Sequence, residues 1–208
     1  MESCINGRRV RRTSVRIAPD GPVVTVFEVA DADAWLGAAA RDPDLDPYAG
    51  ILWPAAVAVA TELAGDVAPG ERVLDLGAGT GLCALAAARL GARAIALDHD
   101  PFALELVRHA ARLQALDVET RRFDLAGAEP LPPADLVLLA DLLYEPALAR
   151  AAARRIAEVV RRGSRVLIGD PGRFSRDVFL SALADNDLHP VFTDVHVHLP
   201  GGERGGIV

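Results

Sequence analysis

Residues 72–81 read Arg72-Val73-Leu74-Asp75-Leu76-Gly77-Ala78-Gly79-Thr80-Gly81, and the fold follows from this stretch. Its apolar residues form a short run between a charged residue and a glycine, which is typical of a strand covered on both faces of a sheet. Gly77, Gly79 and Gly81 follow at alternate positions, where glycine permits positive φ and lets a ligand approach the backbone. The stretch therefore predicts a buried strand that leads into a glycine-rich, ligand-binding turn.

The residues after the turn complete a strand–helix–strand unit. Residues 82–90 are mostly helix formers, and Gly91 suits the position after a helix. Residues 94–97 are a second apolar strand that ends at Asp98. An acid at this place can accept hydrogen bonds from ribose hydroxyls. We therefore expect a Rossmann-like α/β fold in which Asp98 holds a nucleoside cofactor.

The glycine spacing argues against a dinucleotide. A dinucleotide fingerprint has its third glycine one residue later, where this chain has Leu82. The spacing Asp75-x-Gly77-x-Gly79-x-Gly81 instead resembles the first motif of Rossmann-like methyltransferases that depend on S-adenosylmethionine. We therefore expect Asp75 and the three glycines to bind S-adenosylmethionine.

Length and composition indicate a single compact chain. Its 208 residues fit one domain, 51% of them are hydrophobic, and the formal net charge is −7. This charge opposes general attraction to nucleic acid or to anionic membranes. We find neither an apolar run that could cross a bilayer nor a signal peptide, so we expect a cytoplasmic monomer with no nucleic-acid or membrane partner.

The first 54 residues precede the cofactor-binding unit. A basic cluster near their start comprises Arg8, Arg9, Arg11 and Arg12. Such a cluster is usually a solvated edge, and it could also dock an acidic partner. Residues 13–29 read as a β-hairpin and residues 31–40 as a short helix. We expect residues 1–54 to form an extension packed on the core, and residues 55–208 to form a single globular unit.

The rest of the chain continues the alternation of strands and helices. Residues 118–124, 135–140 and 164–169 read as strands, which predicts a doubly wound, mostly parallel sheet. Residues 189–199 read as a last strand that turns at Gly201-Gly202 into a short final one, so we expect an antiparallel hairpin at the C-terminal edge. Its two histidines lack a third ligand nearby, and we predict no metal site.

Further site candidates lie near the carboxyl ends of the predicted strands, where open α/β sheets bind ligands. Asp124 could accept a hydrogen bond from the adenine amino group and Phe123 could wall the ring, although a strand-end acid can also cap a turn. Trp53 stands just before the helix that precedes the cofactor strand, and either packs on the core or contacts the cofactor. Asp141 and Tyr144 directly follow the fourth strand.

Several motifs together resemble the lysine methyltransferases of the electron-transfer-flavoprotein β-subunit and their bacterial relatives, which are seven-β-strand protein methyltransferases. The narrowest of them are the Asp141-x-x-Tyr144 turn and the run Gly169-Asp170-Pro171-Gly172-Arg173. The chain departs from the family at Ala55-Ala56, where the family tends to have glycines. The other motifs are Asp46-Pro47-Tyr48, Trp53-Pro54, residues 73–81 and Asp98-His99-Asp100-Pro101.

The resemblance implies an S-adenosylmethionine-dependent N-methyltransferase that modifies a lysine of the electron transfer flavoprotein β-subunit or of a similar protein. A free lysine has a pKa of ~10.4 and must lose its proton before it attacks a methyl group. We expect Asp141 to orient the amine or accept that proton, and Tyr144 to hold the ammonium by a cation–π contact. Asp141 could instead cap the following helix.

Three alternatives remain open. An N-methyltransferase for a small molecule or another protein would share the same cofactor half. Enzymes that methylate amino groups of nucleic acids or glutamine carry a similar turn, but usually with prolines where this chain has Leu142-Leu143, and the acidic charge opposes nucleic acid. A cofactor-binding scaffold without catalysis would have no need for Asp141 and Tyr144.

Overall fold

The structure, a computed structural model, describes residues 2–18, 20–42, 46–199 and 205–207. Strands and helices alternate through most of this length, and no helix in these ranges is both long and apolar enough to span a bilayer. The strands are β1 (Glu2–Ile5), β2 (Arg8–Arg16), β3 (Val23–Val29), β4 (Arg72–Leu76), β5 (Arg93–Asp98), β6 (Val118–Arg122), β7 (Leu136–Ala140), β8 (Arg165–Gly169), β9 (His196–His198) and β10 (Gly205–Ile207). The helices are α1 (Ala32–Ala39), α2 (Pro54–Asp66), α3 (Leu82–Arg89), α4 (Pro101–Leu113), α5 (Pro146–Arg161) and α6 (Arg176–Ala184).

A five-stranded parallel sheet in the order β6-β5-β4-β7-β8 forms the centre of the fold. Strand β4 lies in its middle, and only Arg72 at its start is exposed. Successive residues of β4 face opposite layers: Val73 packs in the core with α2, α3 and α4, while Leu74 and Leu76 pack in the core with α5 and α6. Helices therefore cover both faces of the sheet, and the predicted doubly wound architecture is confirmed.

The N-terminal section forms a separate antiparallel sheet in the order β1-β2-β3. The predicted hairpin is the β2–β3 pair, and β1 adds a third strand. The prediction that the basic cluster precedes the strand is wrong, because all four arginines lie within β2. At the edge strand β3, the Gln114 side chain donates a hydrogen bond to the Thr25 carbonyl and accepts one from the Thr25 N–H, both at 2.8 Å.

The C-terminal hairpin differs from the prediction in its length and position. Strand β9 has three residues, and it pairs antiparallel with β10 in a two-stranded sheet of its own. Residues 189–195 are not in a strand, which is consistent with Pro190, because proline cannot donate a ladder hydrogen bond. The hairpin therefore does not extend the main sheet, and the predicted turn at Gly201-Gly202 lies outside the described residues.

Candidate active site

The glycine turn connects β4 to α3, with φ of +66° at Gly77, +52° at Gly79 and +76° at Gly81. A Cβ on Gly77 would lie 2.5 Å from the side chain of Leu142, so this glycine lets the Asp141–Tyr144 turn pack directly against it. Among the described residues, a Cβ on Gly79 would meet only the Ala49 carbonyl oxygen, at 3.6 Å. The turn is therefore closely packed at Gly77 and open at Gly79, where a ligand can approach the backbone.

Asp98 ends β5 beside this turn, and the residue is 5% exposed. One carboxylate oxygen accepts a hydrogen bond from the Gly79 N–H and the other from the Asp100 N–H, both at 2.9 Å. Burial raises the pKa of Asp98, although these two bonds oppose the shift. Each oxygen keeps a second lone pair, so the carboxylate has the capacity to accept from two ribose hydroxyls.

Asp75 lies beneath the glycine turn and is 2% exposed. Its carboxylate accepts a hydrogen bond of 2.9 Å from the N–H of Ala84, in the first turn of α3. This N–H has no acceptor within the helix, so Asp75 caps α3 from the preceding strand. Burial raises the pKa of Asp75 to about 7. The geometry gives Asp75 a supporting role behind the turn, and its direct contact with a cofactor stays a prediction.

Phe123 and Asp124 lie just beyond β6, next to the end of β5. The Phe123 N–H donates to the Asp98 carbonyl at 2.9 Å, but its ring is buried in the core, with the Arg155 guanidinium 5.0 Å from the ring centre. The exposed Asp124 side chain accepts from the Ala126 N–H at 2.8 Å and so caps a turn. Adenine contacts by these two residues stay predictions.

A histidine that the sequence reasoning did not assign a role connects the loop of residues 46–54 to Asp98. Nε2 of His99 lies 3.2 Å from an oxygen of Asp46, and Nδ1 lies 3.5 Å from an oxygen of Asp98. The hydrogen bond with Asp46 raises the pKa of His99 to about 9, with a further contribution from Asp98. A protonated His99 therefore stabilises both carboxylates and holds this loop against Asp98. In the sequence, only the neighbouring acids Asp98 and Asp100 indicate that His99 could carry a charge here.

Three aromatic rings and one guanidinium form a cluster on the other side of the glycine turn. The Tyr48 ring centre lies 4.7 Å from that of Tyr144 and 6.0 Å from that of Trp53. The indole N–H of Trp53 donates to the Tyr48 carbonyl at 3.2 Å, and the guanidinium of Arg173 lies 5.3 Å from a Trp53 ring centre. Burial raises the pKa of Tyr144, so its hydroxyl remains a hydrogen-bond donor at neutral pH. Trp53 thus lies beside the predicted catalytic residues.

Asp141 occupies a left-handed backbone conformation, φ +60°, and is 6% exposed. This conformation is costly for a residue with a Cβ, and such strain concentrates at functional sites. Arg173 binds its carboxylate with two nitrogens, Nε at one oxygen and Nη2 at the other, the latter at 2.8 Å. The alternative in which Asp141 caps the next helix is wrong, because α5 begins at Pro146 with Glu145 before it. Sequence reasoning did not foresee the pairing with Arg173.

Comparison with known proteins agrees with this architecture. Residues 73–163, from the cofactor strand to the end of α5, match the methyltransferase-domain family. This segment is therefore similar to methyltransferase domains. The chain is 38% identical over 136 residues to the electron transfer flavoprotein beta subunit lysine methyltransferase of Danio rerio, and the alignment covers 63% of this chain and 52% of that protein. The resemblance to this family that the motifs suggested is confirmed.

The chain is also similar to other methyltransferases. It is 38% identical over 106 residues to ribosomal protein L11 methyltransferase of Thermus thermophilus, covering 51% of this chain and 41% of that one. The chain spans about half the length of the lysine methyltransferases it matches. Among solved structures, a TehB-like S-adenosylmethionine-dependent methyltransferase of Corynebacterium glutamicum superposes with a TM-score of 0.53 at 18% identity, covering 85% of this chain and 93% of that one. The fold is therefore the Rossmann-like methyltransferase fold.

Proposed function

We propose that this chain is an S-adenosylmethionine-dependent N-methyltransferase that modifies a lysine of the electron transfer flavoprotein β-subunit or of a similar protein. One observation carries the proposal: the buried Asp98 ends β5 and the strained Asp141 directly follows β7, the strands on either side of β4, and Leu142 packs on Gly77 between them. A nucleoside-binding half and an acceptor half therefore share one edge of the sheet. The name of the similar lysine methyltransferases supports the substrate class.

The residues on the cofactor side fit S-adenosylmethionine. Asp98 offers free lone pairs for two ribose hydroxyls, and the open position at Gly79 leaves room for a ligand next to the backbone. Once bound, the cofactor would supply a methyl group on a positively charged sulfur, which is already an activated leaving group. The protein's part is then to align a neutral amine with that methyl group.

The acceptor side can bind and orient a lysine amine. Arg173 fixes the Asp141 carboxylate through both of its oxygens, and the remaining lone pairs can accept from an amine N–H. The rings of Tyr48, Trp53 and Tyr144 provide an apolar wall for a lysine stem. Arg173 is paired with Asp141, so its charge does not oppose a cation, and the Tyr144 ring can hold the lysine ammonium by a cation–π contact until the amine loses its proton.

Ribosomal protein L11 is a second candidate substrate. The chain is 38–42% identical to ribosomal protein L11 methyltransferases over about half of its length. Both kinds of relative are named for protein substrates, which favours a protein over a small molecule or a nucleic acid as acceptor. The electron transfer flavoprotein β-subunit remains the first choice because the similarity to its methyltransferases extends over more of this chain.

We also propose that residues 1–54 form an extension packed on a methyltransferase unit of residues 55–208, and that the chain is a cytoplasmic monomer. Contacts of β3 with α3 and α4 support the first statement. The free thiols of Cys4 and Cys83 fit a reducing compartment. Light scattering of the purified chain tests the monomer.

The test of function is methyl transfer from radiolabelled S-adenosylmethionine to purified β-subunit and, separately, to ribosomal protein L11, with the product mapped by mass spectrometry. We expect a labelled lysine on one of them. Asp141→Ala should keep cofactor binding and lose turnover by at least a hundredfold, because the amine loses its acceptor. Glu145→Ala is the matched control, since this exposed carboxylate lies in the same segment. Label confined to small molecules or nucleic acid would refute the proposal, and full turnover in Asp141→Ala would refute the role of Asp141.

A further inference from the structure

The basic cluster of the N-terminal sheet lines a groove of about 1,100 Å³ between β2 and α1. We call it the arginine groove. Helix α1 contributes its first turns, including Trp35, and Leu52 also lines the groove. Its basic wall comprises Arg8, Arg9, Arg11 and Arg12. The proposed reaction uses none of these arginines, although they stand in a chain whose net charge is −7.

The basic side chains have two different environments. Arg9, Arg11 and Arg12 are exposed. Arg8 is half-buried, and its guanidinium lies 4.4 Å from the ring centre of Phe102 and 5.0 Å from a ring centre of Trp35. These cation–π contacts hold Arg8 in place without neutralising its charge. The groove therefore has one ordered cation at its wall, and of the three exposed arginines Arg11 forms an ion pair with Glu28.

The protein's own hydrogen bonds occupy most of the acidic side chains of the groove. Glu28 is 6% exposed and accepts from Nε of Arg11 at 3.2 Å and from the Leu52 N–H at 3.4 Å. Asp31 caps α1 and accepts from the Ala34 N–H at 2.9 Å. Three acids line the groove among the described residues, and two of them, Glu28 and Asp31, already accept hydrogen bonds from the protein. A ligand would meet a surface that has more hydrogen-bond donors than acceptors.

The indole of Trp35 adds another donor. Trp35 is 9% exposed, and its N–H has no acceptor among the residues that the structure describes. Buried N–H groups are nearly always hydrogen-bonded, so an unpaired one in the wall of a groove that four guanidiniums line favours a partner rich in acceptors. Carboxylates meet this requirement, and guanidinium groups bind them with two parallel hydrogen bonds.

The arginine groove borders the loop of residues 46–54, which contributes to the proposed active site. Leu52 lines the groove, and the next residue, Trp53, belongs to the aromatic cluster. The Val29 N–H donates to the Gly50 carbonyl at 2.8 Å, so the sheet and the loop of residues 46–54 are joined at this point. A partner that fills the groove therefore lies beside the loop that walls the acceptor side.

We propose that the arginine groove docks an acidic segment of the protein substrate while the substrate's lysine enters the neighbouring site. The proposal rests on the proposed function and extends it by naming a recognition surface. Charge complementarity favours such a partner, because four guanidiniums against three carboxylates line the groove, whereas the chain as a whole has a net charge of −7. Docking would fix which lysine of the substrate reaches the site.

A direct binding assay tests the groove without any turnover. The probe is a fluorescein-labelled octaglutamate peptide, and its anisotropy is measured with the full chain. We expect Arg9→Glu/Arg12→Glu to weaken binding about tenfold, because two exposed charge pairs are lost and replaced by repulsion. The control is Arg93→Glu/Arg112→Glu, which changes the charge equally at exposed residues outside the groove. Arg9→Gln/Arg12→Gln should give a smaller loss, and it replaces the reversal if that variant does not fold.

Equal binding of the peptide to both charge-reversed variants would overturn the proposal. Tighter binding of a single-stranded DNA of the same charge through the same arginines would also overturn it, since the partner would then be a nucleic acid. In turnover, the groove variant should raise the KM for the intact protein about tenfold and leave kcat and the cofactor Kd unchanged. If the wild-type chain binds the peptide in the groove but methylates no protein, the proposed function fails. If the wild-type chain methylates the protein and the groove and control variants bind the peptide equally, the docking proposal fails and the proposed function stands.

Discussion

Replacement of Asp75 by asparagine tests whether the glycine turn is built on a buried, protonatable carboxyl group. Asp75 is 2% exposed and accepts the Ala84 N–H at 2.9 Å, and an asparagine oxygen can accept the same bond. The change therefore keeps the cap of α3 and removes only the possibility of a buried negative charge. We expect Asp75→Asn to stabilise the protein above neutral pH and to have little such benefit in mild acid.

The size of the effect follows from the pKa of Asp75, which burial raises from 3.8 to about 7. Between these values the folded state binds a proton that the unfolded state has released, so the free energy of unfolding falls as the pH rises. At ~1.4 kcal/mol for each unit, the full loss is about 4 kcal/mol, and roughly 3 kcal/mol of it falls between pH 5 and pH 8. Asparagine does not titrate, so the variant does not lose this free energy of unfolding as the pH rises.

The assay is urea unfolding of both proteins at pH 5 and at pH 8. The difference in unfolding free energy, variant minus wild type, should increase by roughly 3 kcal/mol from pH 5 to pH 8. Effects of other titrating groups cancel in this comparison, because both proteins share them. A difference that stays constant within about 0.5 kcal/mol would refute the reasoning, since Asp75 would then be equally ionised in the folded and unfolded states.

Three further predictions concern the two sides of the site. Asp98→Ala should weaken S-adenosylmethionine binding ten- to a hundredfold through the loss of one or two charged hydrogen bonds, and an unchanged Kd in calorimetry would mean that the cofactor lies elsewhere. Arg173→Lys keeps the charge but not the two-point contact with Asp141, so kcat should fall about tenfold at constant cofactor Kd. A matching change in that Kd would assign Arg173 to the cofactor side. His99→Gln should lower the unfolding free energy by roughly 1 kcal/mol at pH 6, a value reduced for solvent screening. Because the pKa of His99 is raised from 6.5 to about 9, this loss should vanish by pH 10, and a loss that persists there would contradict the link to Asp46.

The elements next to the glycine turn were predictable because local patterns determine them. An apolar run before glycines requires a buried strand, and β4 indeed lies in the centre of the sheet. The basic cluster was misplaced because residues 8–12 contain a single apolar side chain, Val10, so they show no alternation with a period of two. The pairing with β3 makes this segment a strand, and that pairing involves residues far along the chain.

The acids of the candidate site could be predicted from the sequence, but the residues that pair with them could not. Asp98 and Asp141 follow from their positions after strands. The link from Asp46 to His99 and the pair of Asp141 with Arg173 join separate loops, which only the folded chain brings together. The capping of α3 by Asp75 could not be predicted either, because the sequence patterns of the strand and of the helix do not show that a strand residue caps the helix.

The packing of Leu142 on Gly77 has a consequence for attempts to change the acceptor of this domain. A bulkier residue at either position would displace the Asp141–Tyr144 turn and the cofactor turn together, so an engineer could not alter acceptor choice there without losing the methyl donor. Tyr48 is the better position to vary, because it comes from another loop and its ring centre lies 4.7 Å from that of Tyr144. A library that randomises Tyr48 and keeps the Gly77–Leu142 contact should retain donor binding in most of its members.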